Sequence, residues 1–312
     1  HMKDVYTLDD LVSRSRLDEG AEQPARLAVL GSPVAHSLSP QLHQAALDET
    51  GTGGRYIRLE VPAGEVPGTL DRLQELEFIG ANITVPHKFE ALSAADEVDG
   101  AAAMLGAVNT ILFERGRKLA FNTDGPGFVR AIHEEFLVDV KDLRIMVVGA
   151  GGGAGQAIAA QCAREGCERL VLVNRTVEKA EELALRLSPC FESERLEGPG
   201  ERLQVFSPDS PQLAPVSDHI DLIVNTTSVG LKRTDPSPLP PACLQPHHLV
   251  FDTIYNPPQT RLLGEASQVG ARSANGLSLL LYQGVLSFEL WFPGQHPLTT
   301  MHSALQATLS HP

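Results

Sequence analysis

The glycine-rich segment Gly149–Ala154 restricts the fold of this chain more than any other part of its sequence. It directly follows the apolar stretch Leu143–Val148, which we predict as a buried strand, and it opens a predicted helix. Small residues at 149, 151 and 154 match the G-x-G-x-x-G/A pattern, in which backbone N–H groups can approach a pyrophosphate. A plain tight turn between a strand and a helix is the alternative. The candidate cofactor-binding residues of this segment are Gly149, Ala150, Gly151, Gly152, Gly153 and Ala154.

The next predicted strand, Arg169–Val173, ends without the acidic residue that holds the ribose 2′-hydroxyl in NAD-binding proteins. Asn174, Arg175 and Thr176 follow instead, and Lys179 lies one helical turn beyond the arginine. A carboxylate would repel a 2′-phosphate, whereas a guanidinium pairs with it and can stack on an adenine. We therefore expect NADP rather than NAD. The alternative role for Arg175 is an exposed cation at the start of a helix.

Predicted strands and helices alternate along both halves of the chain. In the first half the predicted strands are Leu27–Leu30, Tyr56–Val61, Gly80–Thr84, Val108–Phe113 and Lys118–Phe121, and the predicted helices are Pro40–Glu49, Val66–Leu76, Pro86–Ser93 and Gly125–Phe136. In the second half the predicted strands are Leu143–Val148, Arg169–Val173, Leu203–Phe206, Ile220–Asn225 and Leu249–Asp252, and the predicted helices are Gly152–Glu165, Val177–Leu187 and Leu277–Trp291. This alternation predicts an α/β protein with parallel, doubly wound sheets, and with a hairpin around Arg115-Gly116. Residues 1–25 are polar and acidic, with one short amphipathic stretch near Leu8–Leu17, and we expect them to be loosely attached.

The length and composition of the chain limit the classes of protein to which it can belong. Its 312 residues are enough for two ordinary domains, and its formal net charge of −14 argues against broad contact with nucleic acids or anionic membranes. No stretch reaches the roughly 18 apolar residues of a membrane span, and the start of the chain lacks a signal-peptide core. The four cysteines form no C-x-x-C pair, so we expect reduced thiols in a cytoplasmic protein and no metal site.

Two serines follow the first predicted strand. Ser37 and Ser39 flank one leucine, and Pro40 begins a predicted helix. Hydroxyl groups near a helix N-terminus favour a small anion such as a carboxylate. A simple N-cap role for Ser39 explains the same residues equally well.

A lysine follows the point where an apolar strand ends. Gly80–Thr84 has a strand pattern, Pro86 suits the first turn of a helix, and Lys88 comes two residues later. Because open α/β sheets bind ligands at such junctions, Lys88 is a candidate acid–base group. Asn109 and Asp124 add an amide and a carboxylate, and the alternative role of Asp124 is an N-cap.

Together these segments resemble the shikimate dehydrogenase family over residues 26–294. The resemblance implies that Lys88 and Asp124 are catalytic. It implies that the substrate-binding residues are Ser37, Ser39, Thr84, Asn109, Tyr255 and Gln283. To the glycine-rich segment it adds the cofactor-binding residues Asn174, Arg175, Thr176, Lys179, Thr227 and Gly276.

The resemblance also implies an activity and an architecture. The protein would reduce 3-dehydroshikimate reversibly to shikimate with NADPH, in the cytoplasm, as a monomer or homodimer without nucleic-acid or membrane partners. A substrate-binding domain with a mixed sheet would span residues 26–124 and 275–312. A Rossmann-type NADP-binding domain would span residues 125–274, with the active site in the cleft between the two. Residues 1–25 would form an extension with no assigned role.

Several positions depart from the family pattern without removing a catalytic group, namely Gln44, Gly153, Leu279 and Phe292-Pro293. They leave room for a quinate/shikimate dehydrogenase that uses NAD or NADP in hydroaromatic catabolism. A non-catalytic binding paralogue is a second alternative, against which intact Lys88 and Asp124 argue. A third is another two-domain NADP enzyme, such as a methylene-tetrahydrofolate dehydrogenase, against which the paired serines argue.

Overall fold

The computed structural model of the chain describes residues 2–192 and 201–310. The chain divides into two units, the first made of His1–Gly127 with Leu280–Pro312 and the second of Phe128–Leu279. Each unit has its own six-stranded sheet. None of the helices in the described ranges has both the length and the apolar character needed to cross a membrane.

The helices are, in chain order, α1 (Arg14–Leu17), α2 (Ser39–Thr50), α3 (Val66–Glu75), α4 (Lys88–Ala94), α5 (Gly100–Leu105), α6 (Asp124–Phe136), α7 (Gly153–Glu165), α8 (Val177–Leu187), α9 (Leu213–Ser217), α10 (Arg261–Gln268), α11 (Leu277–Trp291) and α12 (Leu298–Ser310). Short 3-10 turns occupy Leu8–Val12, Val140–Asp142, Ser188–Phe191 and Pro241–Cys243.

The sheet of the first unit is mixed. Its strands are β1 (Ala25–Gly31), β2 (Arg55–Glu60), β3 (Gly80–Ile83), β4 (Glu97–Val98), β5 (Thr110–Glu114) and β6 (Arg117–Phe121), in the order β2-β1-β3-β5-β6-β4. Strand β1 pairs in parallel with β2 and β3, whereas β5 pairs antiparallel with β3 and β6. The predicted hairpin is confirmed, and its two turn residues, Arg115 and Gly116, both have positive φ as a two-residue hairpin turn requires.

Alternation of side chains along β1 places a different core on each face of this sheet. Leu27 and Val29 point into a core that α2, α11 and α12 complete, with Phe288 as one of its fully buried side chains. Ala28 and Leu30 point into the opposite core, which α3 and the N-terminal segment cover.

The N-terminal segment is docked on the sheet. Tyr6 forms a parallel bridge with Leu59 of β2, and Leu11 and Leu17 are buried in the core of that face. The Arg72 guanidinium of α3 donates to the Leu11 carbonyl at 2.7 Å. The expectation of a loosely attached segment is therefore wrong, because a strand bridge and buried apolar side chains bind it to the first unit.

The sheet of the second unit is entirely parallel. Its strands are β7 (Arg144–Val148), β8 (Arg169–Val173), β9 (Leu203–Phe206), β10 (Leu222–Asn225), β11 (Leu249–Asp252) and β12 (Arg272–Ala274), in the order β12-β11-β10-β7-β8-β9. The strand order reverses between β7 and β10, and sheets of this kind bind ligands where the carboxyl ends of two such strands separate. The predicted fold, a mixed sheet in the first domain and a doubly wound parallel sheet in the second, is confirmed.

The structure corrects the sequence-based prediction at the start of α4. Val85 and Pro86 lie in a turn that the bond from His87 N–H to the Thr84 carbonyl closes at 3.0 Å, so the helix begins at Lys88. The pattern did not predict β4, β12, α5, α9, α10 or α12, because these elements are short or have few buried residues to give a visible period.

Candidate active site

A nearly buried ion pair lies beyond the carboxyl end of β3. Lys88 is the first residue of α4, and Asp124 is the first residue of α6. The Lys88 Nζ donates to Asp124 Oδ2 at 2.5 Å, and the two side chains are 11% and 9% exposed. A charge-assisted bond with so little solvent access holds both groups in defined positions. Because Asp124 already lies inside the helix, it is not the N-cap.

The Asn109 amide is oriented by its neighbours toward this pair. Its oxygen accepts from the Thr123 N–H at 2.7 Å, which leaves the nitrogen to face the carboxylate. The nitrogen donates to Asp124 Oδ1 at 3.2 Å and reaches Gln283 Oε1 at 3.5 Å. Both carboxylate oxygens of Asp124 therefore accept a hydrogen bond, one from Lys88 and one from Asn109.

A layer of buried polar side chains supports Asn109, and sequence reasoning missed it. Ser287 Oγ lies 2.7 Å from Thr110 Oγ1 and 3.0 Å from Thr123 Oγ1, and it accepts from Asn82 Nδ2 at 3.1 Å. Ser287 stands four residues after Gln283 on α11, so the helical spacing was the available signal.

The two candidate carboxylate-binding serines lie at the start of α2. Ser39 is the first helical residue and not its N-cap, and its backbone N–H donates to Ser37 Oγ at 3.3 Å. Ser39 also hydrogen-bonds the Tyr56 phenol, whose pKa burial raises well above its usual value. The phenol in turn donates to Asn82 Oδ1 at 2.7 Å, so one polar network joins the serines to the layer beneath Asn109.

The remaining predicted substrate residues have different positions. Thr84 packs closely against β1. Its methyl group lies so near Gly31 that a Cβ at position 31 would collide with it. Gln283 donates through Nε2 to the Leu280 carbonyl at 2.7 Å, which directs Oε1 toward Asn109. Tyr255 belongs to the second unit. The structure thus gathers Lys88, Asn109, Asp124 and Gln283 in one hydrogen-bonded group of the first unit.

The glycine-rich segment of the second unit forms a tight turn between β7 and α7. Gly149 has φ +90°, and a Cβ there would lie only 2.7 Å from Thr226 Oγ1 and from Thr227 Cγ2. At Gly155 a Cβ would collide with the Gly149 carbonyl. Sequence reasoning placed the third small residue at Ala154, but the close contact between helix and strand is at Gly155.

The turn after β8 lies beside this segment. The Gly151 N–H donates to Asn174 Oδ1 at 3.3 Å, and Asn174 Nδ2 donates to the Thr176 carbonyl at 2.8 Å. Arg175 and Lys179 are exposed, and neither side chain has a hydrogen-bond or ion-pair partner within residues 2–192 and 201–310. A glycine cradle beside two unpaired cations fits a pyrophosphate with an additional phosphate group, as NADP has.

Two further candidate cofactor residues lie near the carboxyl ends of β10 and β11. Thr227 Oγ1 donates to Asn225 Oδ1 at 2.7 Å, and Asn225 Nδ2 donates to Asp252 Oδ1 at 3.1 Å. Burial raises the pKa of Asp252 from 3.8 to about 6. Gly276 has no room for a side chain, because a Cβ would collide with the Thr253 carbonyl. Across the described residues, no three His, Cys, Asp or Glu side chains are grouped to hold a metal ion.

Comparison with protein families gives two matches, one in each unit, that together span about half of the chain. Residues 29–111 match a model described as the shikimate dehydrogenase substrate-binding domain. Residues 131–204 match a model described as shikimate/quinate 5-dehydrogenase.

Similar proteins cover nearly the whole chain. A shikimate dehydrogenase (NADP(+)) of Methanopyrus kandleri is 38% identical over 281 residues, which are 89% of this chain and 94% of the relative. A shikimate dehydrogenase (NADP(+)) of Geobacillus kaustophilus is 41% identical over 273 residues, 86% of this chain and 92% of the relative. Among solved structures, a shikimate 5-dehydrogenase of Thermus thermophilus in complex with NADP(H) and shikimate matches with a TM-score of 0.77 and 34% identity, covering 91% of this chain and 99% of the other.

Proposed function

Since this chain belongs to the shikimate dehydrogenase family, we propose that it catalyses the reversible, NADP-dependent reduction of 3-dehydroshikimate to shikimate. The observation that best supports the proposal is the ion pair of Lys88 and Asp124, joined at 2.5 Å and oriented by the Asn109 amide. A fixed ammonium with little solvent access is suited to exchange a proton with one oxygen of a bound ring.

Lys88 acts as the general acid in the reducing direction. Its ammonium gives a proton to the substrate oxygen as the carbonyl becomes a hydroxyl, and the resulting amine takes the proton back in the oxidising direction. Asp124 holds Lys88 through Oδ2 and accepts a hydrogen bond from the same substrate hydroxyl. NADPH supplies the hydride when it is bound.

The other polar groups of the first unit orient the ring. Ser37 and Ser39 bind the ring carboxylate at the start of α2, where the helix N-terminus favours an anion. Thr84, Asn109 and Gln283 bind ring hydroxyls. Several polar contacts to one small ring discriminate strongly against analogues that lack a hydroxyl, because each such analogue leaves a polar group unpaired. Tyr255 is proposed as a further contact to the carboxylate.

The residues of the second unit hold the cofactor. The segment Gly149–Ala154 and the N-terminus of α7 bind the pyrophosphate, and Arg175 with Lys179 binds the 2′-phosphate, next to Asn174 and Thr176. Thr227 and Gly276 are proposed as contacts to the rest of the cofactor. Accordingly, we assign substrate binding to residues 26–124 and 275–312, and NADP binding to residues 125–274.

Steady-state rates on shikimate and quinate, each with NADP and with NAD, test the proposal. We expect the highest kcat/KM with shikimate and NADP. Faster turnover of quinate would instead indicate the catabolic quinate/shikimate dehydrogenase, and an absence of turnover in all four combinations would indicate a non-catalytic paralogue.

The proposal also includes a cytoplasmic location, which the four free cysteines fit. It includes a monomer or a homodimer, and light scattering distinguishes the two.

A further inference from the structure

Residues 32–38 form the loop that connects β1 to α2, and this loop presents Ser37 and Ser39. Two charged side chains of β2 hold the loop, one at each end. We propose that Arg58 and Glu60 are positioning residues that set the affinity of the enzyme for the ring carboxylate. This inference rests on the proposed function, because the two serines are the proposed carboxylate ligands. Neither Arg58 nor Glu60 belongs to the catalytic group around Lys88.

Glu60 holds the start of the loop. It is the last residue of β2 and lies directly opposite Gly31, the last residue of β1, so its side chain is next to the point where the loop begins. Its Oε1 accepts from Ser32 Oγ at 2.8 Å, and its Oε2 accepts from the Val34 N–H at 3.0 Å. Val34 is buried, so the loss of Glu60 would leave its N–H away from water without an acceptor.

Arg58 holds the other end of the loop. It stands two residues before Glu60 on the same face of β2. Its Nε and Nη2 both donate to the Ser37 carbonyl, at 3.1 and 2.7 Å, and Nη2 also donates to Gln41 Oε1 at 3.2 Å. The guanidinium therefore ties a carboxylate-binding residue to the first turn of α2.

The two contacts reduce the freedom of the loop before a ligand arrives. A single backbone bond crosses the interior of the described loop, from the Ser37 N–H to the Val34 carbonyl at 3.1 Å. At the start of the loop the Ser32 N–H also donates to the Val85 carbonyl at 3.1 Å, and the two β2 side chains add a side-chain restraint at each end. A site that is ordered in advance loses less entropy on binding, so removal of either side chain should weaken ground-state binding and leave the chemical step unchanged.

The central test compares Glu60→Leu with Glu60→Gln. Leucine removes both acceptors, and we expect the KM for shikimate to rise about tenfold or more, with kcat and the KM for NADP unchanged. Glutamine keeps the contacts, because its oxygen can accept from the Val34 N–H and its nitrogen can donate to the Ser32 hydroxyl. We expect its KM to stay within about twofold of wild type. Glu49→Leu, a change of an exposed glutamate on α2, is the matched control and should behave as wild type.

An analogue of shikimate without the carboxylate separates positioning from general damage. Wild type and Glu60→Leu should process this analogue with equal kcat/KM, because the loop makes no contact with its missing group. An equal loss on both substrates would show that the leucine variant is merely distorted and would overturn the inference. An unchanged KM for shikimate in Glu60→Leu would also overturn it.

A second pair of variants covers the case in which Glu60→Leu does not fold. Arg58→Met should raise the KM for shikimate in the same way, and Arg58→Lys, which can still donate to the Ser37 carbonyl, should recover part of the loss. Equal KM values for all three proteins refute the inference. If wild type itself did not oxidise shikimate, the proposed function would fail first, so the two failures are distinguishable.

Discussion

The imidazole of His43 stacks on the phenol ring of Tyr56, with ring centroids 4.7 Å apart and ring planes 9° apart. Trp291 packs beside them, with its ring centroid 5.2 Å from that of His43. The imidazole is completely buried, and neither of its nitrogens has a hydrogen-bond partner among the described residues. Burial lowers the pKa of His43 from 6.5 to about 3. The histidine therefore acts as a flat aromatic component of the core.

His43 should make the first unit sensitive to acid. Between pH 6.5 and 3 the unfolded chain takes up a proton that the folded unit does not, so the free energy of unfolding falls as the pH falls through this window. The total loss would approach about 5 kcal/mol at the acid end. Urea unfolding followed by fluorescence at pH 7, 5 and 4 measures it, because Trp291 is the single tryptophan and lies in the first unit. His43→Phe should flatten this pH dependence, whereas substitution of the exposed His36 should not. Equal slopes in all three proteins would contradict the explanation.

Asp252 should give the second unit the opposite dependence on pH. Burial raises its pKa to about 6, so between pH 3.8 and 6 the folded unit binds a proton that the unfolded chain has released. The free energy of unfolding of this unit therefore falls as the pH rises through the window, by up to about 3 kcal/mol. Asp252→Asn can keep the bonds to Asn225 and Thr260 without a charge. Hydrogen exchange in β10 and β11 at pH 8 should then be slower than in wild type, and faster exchange would count against the assignment.

Lys88→Ala should lower kcat by about 10²–10⁴-fold and change the KM for shikimate little, because the lost group acts on the proton and not on ring binding. Lys118→Ala, a change of a lysine on β6 outside the candidate site, is the control. The measurement is steady-state oxidation of shikimate at saturating NADP. A Lys88→Ala enzyme with nearly normal turnover would exclude Lys88 as the acid–base group.

Arg175→Ala should raise the KM for NADP by about tenfold, the effect of losing one charge-assisted contact to a phosphate, and leave the KM for NAD unchanged. Arg175→Asp should go further and favour NAD, because a carboxylate repels the 2′-phosphate and can accept from a ribose hydroxyl. Arg164→Ala, an exposed arginine on α7, is the control. The assignment of Arg175 fails if both cofactors keep their wild-type constants in the alanine variant.

Local patterns predicted the parts of the fold that local interactions determine. The glycine turn after β7 is an example, because the backbone at Gly149 has φ +90°, a conformation that glycine adopts without steric cost. The hairpin at Arg115 and Gly116 is another. The contact of Lys88 with Asp124 could be anticipated only through the family resemblance, since 36 residues separate the pair.

Contacts between distant parts of the chain were not visible in the sequence. The N-terminal segment is a clear case, because Arg72 binds the Leu11 carbonyl from 61 residues away. Ser287 is another case, since it meets Thr110 across 177 residues. Helical spacing places Ser287 on the same face of α11 as Gln283, but it does not identify Thr110 as the partner until the helix has a place in the fold.

The last two helices of the chain complete the first unit, and this determines the order in which the two units can mature. Leu281, Val285 and Phe288 of α11 and Met301 of α12 fill the core over β1. A growing chain emerging from the ribosome therefore holds all of residues 128–279 before it holds the side chains that close the earlier unit. We expect the second unit to fold first, although it is made later. Pulsed hydrogen exchange on ribosome-bound chains during synthesis should show protection in β7 and β10 before β1, and the reverse order would contradict it.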